Sequence, residues 1–355
     1  MNGYKVNILY KLVLQMKERG LFEEIDRLHE LTKLGDPLIL LNKKIDWESF
    51  REELEVIRGE ENPENVRNAG RKPFDVVMMF KIMVLQRYYS ISDDQMEFQL
   101  KDRRSFERFV SGGETLYYMP DAKTIWLYRE RFKKAGIAKK VFELFQKQLI
   151  QKGVIGKSGK IVDASFVEVP RQRNSKEEND KIKQGEPIEQ WNDAKRAQKD
   201  VDARWTTKNE QNFYGYKNHV AIDKRSKMIL NYTTTSAEVH DSQVIDEIIG
   251  KPRKENEPLY GDSAYRSEQI ENLVRMKEFK SRIHEKGYRG HPLTKGQKTR
   301  NRNKSKIRAR VEHIFSVLSW MGADFLRYIG IERNSEAIGM MNIVYNMRRY
   351  CFLKA

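Results

Sequence analysis

The sequence predicts an α/β protein, with a mixed sheet flanked by helices and preceded by an all-α N-terminal region. Three observations support this fold class. Apolar residues recur at helical spacing up to about residue 153, a continuous apolar run typical of a strand covered on both faces follows, and strand and helix patterns alternate after residue 212. A chain of 355 residues is long enough for two or three domains with their own cores.

Residues 1–70 are predicted to form a helical N-terminal arm and a linker. Apolar residues at helical spacing run through residues 1–60, and turn-forming residues between 62 and 70 mark a polar connection. Lys11 and Lys17 interrupt the first apolar stretch, so a secretion signal is not expected. No run approaches the ~20 apolar residues of a membrane span. We therefore expect a cytoplasmic protein with no membrane partner.

Residues 71–153 are predicted to form an α-helical DNA-binding domain. The chain carries 67 Lys and Arg against 51 Asp and Glu, which favours a polyanionic partner. Ser92 and Asp121 are good helix N-caps, and the short amphipathic helices follow one another as in helix-turn-helix bundles. The same pattern suits any small α domain, so both alternatives stay open. The expected DNA contacts in this region are Lys123, Thr124 and Arg129.

Residues 154–355 are predicted to form the α/β domain. Its first strand lies within residues 160–169, and a charged, irregular insertion is expected at about 170–212. Two strands joined by a polar turn follow, and then a helix, a strand, a helix, a short strand and a last helix from about Ser305 to Trp320.

Two aspartates lie on predicted core strands of this domain. Asp163 is in the middle of the first strand, and Asp262 follows an apolar run and a glycine in the stretch "PLYGDSAYRS". A carboxylate on a buried strand costs several kcal/mol unless it is compensated, as by pairing with a Lys or Arg. Two such aspartates in one domain, each with small neighbours, favour a shared site over two separate ion pairs.

A third carboxylate, Glu312, lies on the predicted last helix, off its apolar stripe and four residues after Arg308. Three clustered carboxylates repel one another unless divalent cations bind them. Oxygen ligands without a Cys/His cluster favour two Mg²⁺ ions, with Mn²⁺ as a substitute, which would activate a water or a hydroxyl at a phosphodiester. Other acids that compete for these roles are Glu168, Glu238 and Asp241.

The segment from residue 286 to 310 holds ten Lys or Arg and no acid in 25 residues. Most basic runs are solvated or disordered loops, but the position of this one directly before Glu312 favours a grip on a DNA backbone. We expect a mobile loop in the free protein. The residues expected to contact DNA are Lys295, Lys298, Arg300, Arg302 and Arg308.

Two residues on the second predicted strand and two in the charged insertion before it carry further expectations. Lys217 is expected to contact DNA, and His219 is expected to be a hydrogen-bonded structural residue. Trp191 and Trp205 lie in the charged insertion, where an indole ring has little core to join. They are expected either to anchor small clusters or to stack on bases.

Taken together, these motifs resemble the DDE transposases of bacterial insertion sequences, in the branch called the IS-five type. The resemblance is carried by "IVDASFVEVPRQ", "YGDSAY" and "RARVEHIFSVL" and extends roughly from Pro73 to Tyr350. It implies an RNase H-like catalytic domain in which Asp163, Asp262 and Glu312 are both the catalytic and the metal-binding residues.

The resemblance also implies an activity, partners and a place at the nucleoid in the bacterial cytoplasm. Such a transposase would bind terminal inverted repeats, cleave DNA phosphodiester bonds and join the 3′-ends to target DNA, acting as a homodimer or a larger oligomer on double-stranded DNA. Ser305 and Ser319 stand where relatives carry the Tyr and Lys of a Tyr-Arg-Glu-Lys signature, so hairpin formation is not assumed. The alternatives are a metal-dependent nuclease without strand transfer and a catalytically silent DNA-binding regulator.

Overall fold

The described residues up to Gln151 form helices and short connections. The structure is a computed structural model that describes residues 23–60, 72–112, 118–172, 174–208 and 210–354, so the expected helix before residue 23 and the linker at 61–70 lie outside the described residues. Short 3₁₀ turns occur at Glu48–Phe50 and Val56–Glu60. The helices are α1 (Glu23–Lys33), α2 (Pro37–Lys44), α3 (Arg51–Glu55), α4 (Val76–Tyr89), α5 (Asp93–Asp102), α6 (Arg104–Ser111), α7 (Ala122–Ala135) and α8 (Ile137–Gln151).

Local sequence determines where these helices begin and end. The side chain of Ser92 accepts a hydrogen bond from the N–H of Gln95, and the side chain of Asp121 accepts one from the N–H of Thr124 at 2.7 Å. Gly136 has a φ of 64°, a left-handed conformation that glycine adopts without strain, and it separates α7 from α8. The predicted helix starts after Ser92 and Asp121 are confirmed.

Six strands form one mixed sheet within the described residues. The central strand β1 is antiparallel to β3 and parallel to β5, while β3 also pairs with β2 and β4, and β5 pairs in parallel with β6. This order, with antiparallel strands on one side of β1 and parallel strands on the other, is the RNase H-like arrangement. The strands are β1 (Lys160–Glu168), β2 (Arg204–Lys208), β3 (Gln211–Asp223), β4 (Ile229–Ser236), β5 (Glu257–Tyr260) and β6 (Phe279–Ser281).

The sequence predicted an irregular charged insertion, and this prediction was wrong. The insertion contains α9 (Lys176–Gln184), α10 (Asp193–Ala197) and β2. No residue of α9 is buried, so no apolar periodicity indicates this helix. Its start is set by a capping box, in which Ser175 and Glu178 each accept the backbone N–H of the other.

The C-terminal part contains α11 (Ile245–Ile249), α12 (Glu268–Met276), α13 (Lys295–Arg308), α14 (Arg310–Trp320) and α15 (Ile331–Leu353). Two predictions were wrong here. The predicted last helix is two helices that separate at Ala309, and the basic segment is a helix from Lys295 onwards and not a loop. A capping box between Thr294 and Gln297 starts that helix. The buried helix α15 was missed altogether.

One hydrophobic core joins the helical region to one face of the sheet. It extends in sequence from Leu38 to Cys351, and within it α15 packs against α8 and β4. A second cluster covers the other face of the sheet and contains Val162, Ile249 and Tyr265. The predicted DNA-binding region 71–153 is therefore packed onto the sheet domain. None of the helices in the described ranges combines the length and the apolar character required to cross a membrane.

Candidate active site

Strands β1 and β5 bring Asp163 and Asp262 together. The parallel register pairs Ile161 with Tyr260, and its extension by two residues sets Asp163 beside Asp262. Neighbouring strands lie about 4.8 Å apart, and residues opposite each other in a parallel pair point to the same face of the sheet. Two of the three acids predicted from the sequence are therefore neighbours at the carboxyl end of β5.

The two aspartates differ in their surroundings. Asp163 is buried, and its Oδ1 and Oδ2 accept hydrogen bonds from the Ala164 N–H at 3.0 Å and from Arg308 Nη1 at 2.7 Å. Burial raises the pKa of the Asp163 carboxyl to about 6, an effect that Arg308 opposes and that the charge of Asp262 increases. The Asp262 Oδ1 accepts the N–H of Ala264 at 2.8 Å, which begins a short 3₁₀ turn.

Gly261 allows the close approach of the two strands at this point. A Cβ atom on Gly261 would lie 3.2 Å from Val162 Cγ2 and 3.2 Å from a ring carbon of Tyr265. A larger residue would therefore push the end of β5 away from β1, or displace the buried Tyr265 ring. The glycine directly before Asp262 therefore lies in tight packing, where an added Cβ would require its neighbours to shift by a few tenths of an ångström.

Glu312 lies in the first turn of α14, and its side chain faces solvent. Its neighbours Val311 and Ile314 are fully buried and dock the helix on the core. The break at Ala309, whose carbonyl accepts the Glu312 N–H at 3.2 Å, separates this residue from the end of α13. In the part of the chain that the structure describes, no three acidic, His or Cys side chains converge as a metal-binding group, so Asp163, Asp262 and Glu312 do not form a closed set of metal ligands here.

The donor set around the aspartate pair nevertheless suits a hard divalent cation. Asp163 and Asp262 offer carboxylate oxygens only, which is the ligand type that Mg²⁺ and Mn²⁺ prefer. The raised pKa of Asp163 means that burial and the nearby negative charge outweigh the compensation from Arg308. A cation bound between the two carboxylates would remove that imbalance.

The three acids that competed for the metal roles each lie near a basic side chain. These contacts engage their carboxylates with the protein itself. The pairs are Glu168 with Arg171 at 3.8 Å, Glu238 with Arg204 at 3.4 Å, and Asp241 with Lys217 at 2.9 Å.

Lys217, which was expected to contact DNA, is buried. Its Nζ donates to the Val239 carbonyl at 2.8 Å and to Asp241 Oδ1 at 2.9 Å, so its charge is already compensated within the protein. The structure therefore places Lys217 as a structural residue, which corrects the prediction. His219 is fully buried, with Nε2 2.9 Å from Thr235 Oγ1, and burial lowers its pKa to about 4. This hydrogen-bonded position agrees with the expectation for His219.

The predicted contacts on α7 fall into two groups. Lys123 is exposed and Thr124 is half-buried, beside the capped start of the helix. Arg129 instead points inward, where it donates to both carboxylate oxygens of Asp93 and lies over the ring of Tyr328. The prediction that Arg129 contacts DNA is wrong for this structure, because its guanidinium is already bound.

The two tryptophans of the insertion have different environments. Trp191 is buried, its Nε1 donates to Glu178 at 2.6 Å, and the ammonium of Lys195 lies over its ring. It therefore anchors a small cluster, one of the two alternatives. Trp205 on β2 is half exposed and contacts the ring of Tyr214 at a centroid distance of 5.0 Å, so part of its surface remains open.

The basic residues before Glu312 are also divided. Lys295, Lys298 and Arg302 are exposed on α13, whereas Arg300 binds Glu285 through two hydrogen bonds. Arg308 contacts Asp163, as described above. The exposed Lys306 was missed among the candidates, although its position four residues after Arg302 could have indicated it.

Two family models match this chain. A family model described as "Transposase DDE domain" matches residues 155–347, and a second one, "Transposase domain (DUF772)", matches residues 26–131. A cryo-EM structure of a piggyBac transposase synaptic complex with hairpin DNA aligns at 12% identity and a TM-score of 0.43, over 88% of this chain and 74% of that chain. Because the first family model covers more than half of the sequence and spans all three predicted acids, the chain belongs to the transposase DDE domain family.

Proposed function

We propose that this protein is a transposase of the IS-five type. It would bind the terminal inverted repeats of its insertion sequence, cleave DNA phosphodiester bonds and join the 3′-ends to target DNA. The observation that carries the proposal is the register of β1 and β5, which makes Asp163 and Asp262 neighbours inside the family-matched domain. Glu312, the third acid of the family pattern, lies on the helix that follows the Arg308 contact with Asp163.

In the proposed enzyme, Asp163 and Asp262 would hold the metal ions, and Glu312 would join them from the first turn of α14 when the ions bind. When bound there, two Mg²⁺ ions, or Mn²⁺ in their place, would activate a water or a 3′-hydroxyl and stabilise the leaving oxygen. The chain itself supplies the arrangement of the ligands. Arg308 offsets the charge of Asp163 and holds the α13–α14 junction beside the central strand. Glu312 follows Arg308 by four residues, which is about one helical turn.

Ser305 and Ser319, the two residues that depart from the family signature, both form contacts within the protein. Ser305 Oγ lies 3.4 Å from His284 Nε2, and Ser319 Oγ donates to Asp324. Neither side chain has the ring or the charge with which a Tyr or a Lys would contact a DNA end. The proposal therefore does not include a hairpin intermediate.

The proposed partners are double-stranded DNA and a second copy of the chain, since two element ends must be brought together before joining. The test uses the purified full-length protein, Mg²⁺ and duplexes that carry the sequences flanking the gene, with random duplexes as the control. Cleavage and joining are scored separately. Both are expected on end DNA; cleavage without joining would indicate a nuclease, and binding without either reaction would indicate a silent regulator.

A further inference from the structure

Helix α13 has two faces whose positive charges differ in their environment. Successive residues of an α-helix are rotated by about 100°, so residues three or four apart share a face. The helix carries seven Lys or Arg and no acid. Some of these side chains are bound to the protein, and the others project into solvent.

The inner face docks on the segment that follows β6. Arg300 donates to both carboxylate oxygens of Glu285, and Asn301 exchanges two hydrogen bonds with the backbone of the same residue. Lys304 Nζ donates to the Ile283 carbonyl at 2.8 Å. With Arg308 on Asp163, each cation of this face has a defined partner in the protein.

The outer face carries the remaining four cations. They follow one another at intervals of three, four and four residues, which places them in a single stripe about 16 Å long. All four are exposed, and within the described residues none of them forms an ion pair. The members of this outer stripe are Lys295, Lys298, Arg302 and Lys306.

The composition of the outer face identifies the kind of partner. Besides the four cations, it presents Thr299 and Asn303, both exposed, and no apolar side chain. Protein interfaces have a core that is rich in aromatic and apolar residues and depleted of lysine. A stripe of Lys and Arg with small polar residues is instead typical of contacts with a phosphate backbone.

We infer that the outer stripe of α13 binds the phosphate backbone of duplex DNA and guides it to the aspartate pair. Arg308 lies on the inner face of the same helix, two residues after Lys306, and touches Asp163. The C-terminal end of the stripe is therefore the end of α13 that meets the candidate active site. Its length corresponds to the rise of about five base pairs. The inference rests on the proposed function. It adds Lys306 to the residues expected to contact DNA and excludes Arg300 from them.

The experiment compares the salt dependence of DNA binding in three full-length proteins. The outer-stripe variant combines Lys295→Gln, Lys298→Gln, Arg302→Gln and Lys306→Gln. The control variant removes the same charge from exposed lysines near the opposite end of β1 and β5. It combines Lys147→Gln, Lys157→Gln, Lys251→Gln and Lys254→Gln. Each protein is titrated with end DNA and with random DNA over a range of salt concentrations, and unfolding is followed to verify that both variants fold as the wild type does.

For the outer-stripe variant, the slope of log binding constant against log salt should become shallower by up to about 3.6, because each lost phosphate contact removes about 0.9. The loss should be the same for both DNAs, and the control variant should keep the wild-type slope. The single change Arg300→Gln should leave the slope nearly unchanged, because Glu285 already neutralises this residue.

Two outcomes would overturn the inference. An unchanged slope for the outer-stripe variant would mean that the stripe faces solvent or another class of partner, and a loss confined to end DNA would mean that it reads bases. Failure of the proposed function is a separate result. If the outer-stripe variant has a shallower slope than the wild type, but the wild type does not cleave end DNA with Mg²⁺, the transposase assignment is refuted. The inference that the outer stripe binds DNA is then still supported.

Discussion

Arg308 donates a hydrogen bond of 2.7 Å to the Asp163 carboxylate, which joins the end of α13 to the central strand of the sheet. Both side chains are largely buried, with 27% and 12% of their surfaces exposed. A buried carboxylate needs such a partner because desolvation disfavours its charge. The same contact fixes the helix junction before Glu312.

The first prediction concerns the strength of this pair. Arg308→Gln should lower the free energy of unfolding, and much of that loss should disappear in the background of Asp163→Asn, where no buried charge is left unpaired. Urea unfolding of the wild type, both single variants and the double variant should give a coupling energy of about 1–3 kcal/mol. A coupling of zero within error would mean that the pair contributes nothing in solution.

The second prediction concerns the three acids. Under the proposed function, Asp163→Asn, Asp262→Asn and Glu312→Gln should each reduce cleavage of end DNA to background while DNA binding survives, because each change removes a proposed metal ligand and not a phosphate contact. Glu238→Gln is the matched control, an acid-to-amide change at a competing acid that pairs with Arg204, and it should cleave normally. Near-wild-type cleavage by one of the three variants would remove that residue from the site.

The third prediction contrasts two residues of α7. Lys123→Gln should reduce the preference for end DNA over random DNA by about tenfold, as expected for the loss of one specific contact. Arg129→Gln should instead leave the preference unchanged and lower the free energy of unfolding by about 2–4 kcal/mol, because Asp93 would keep the hydrogen bond from Gln86 but lose its charged partner. Binding competition and urea unfolding measure the two effects. The same preference in Lys123→Gln as in the wild type would exclude this helix face from end recognition.

The fourth prediction concerns pH. Glu336 on α15 accepts the N–H of Ala138 at the start of α8, and burial raises its pKa from 4.5 to about 7, although Ala138 and Arg87 oppose this effect. The folded state therefore binds this proton more tightly than the unfolded state does. The stability that the proton provides is fully present below about pH 4.5 and is lost as the pH rises through 7.

Glu336→Gln keeps an acceptor for Ala138 and has no charge to desolvate. Between pH 5 and pH 8, the wild type should lose about 2–3 kcal/mol of unfolding free energy relative to this variant. Urea unfolding at both values provides the measurement. Parallel pH profiles for the two proteins would show that Glu336 titrates as an ordinary surface carboxyl.

The sequence was sufficient to predict the central strand with Asp163 and the capped helices, because their signals are local. The run around Asp163 is apolar on both sides of the strand, and the acceptors at Ser92 and Asp121 lie within three residues of the groups they cap. The neighbouring position of Asp262 was expected from its place after a second core strand and from the family pattern, and the strand register agrees with it.

The sequence was less informative where the partner of a residue is far away in the chain. Lys217 was assigned to DNA because its partner, Asp241, lies 24 residues further on. The basic segment was predicted to be a loop because its charges should repel one another, but Glu285, 15 residues before Arg300, offsets part of them in the folded helix. The break at Ala309 carries no Gly or Pro that would have indicated it.

The continuous core between α8, α15 and the sheet has a mechanical consequence. The surface of α7 and the aspartate pair are separated by packed side chains, and no flexible tether lies between them. Under the proposed function, the number of base pairs between the recognised sequence and the cut bond is then a property of the fold. If a few base pairs are inserted in the DNA between the recognised sequence and the cut bond, cleavage should be lost and should not move to a new position. The reason is that the distance between the two protein surfaces is fixed.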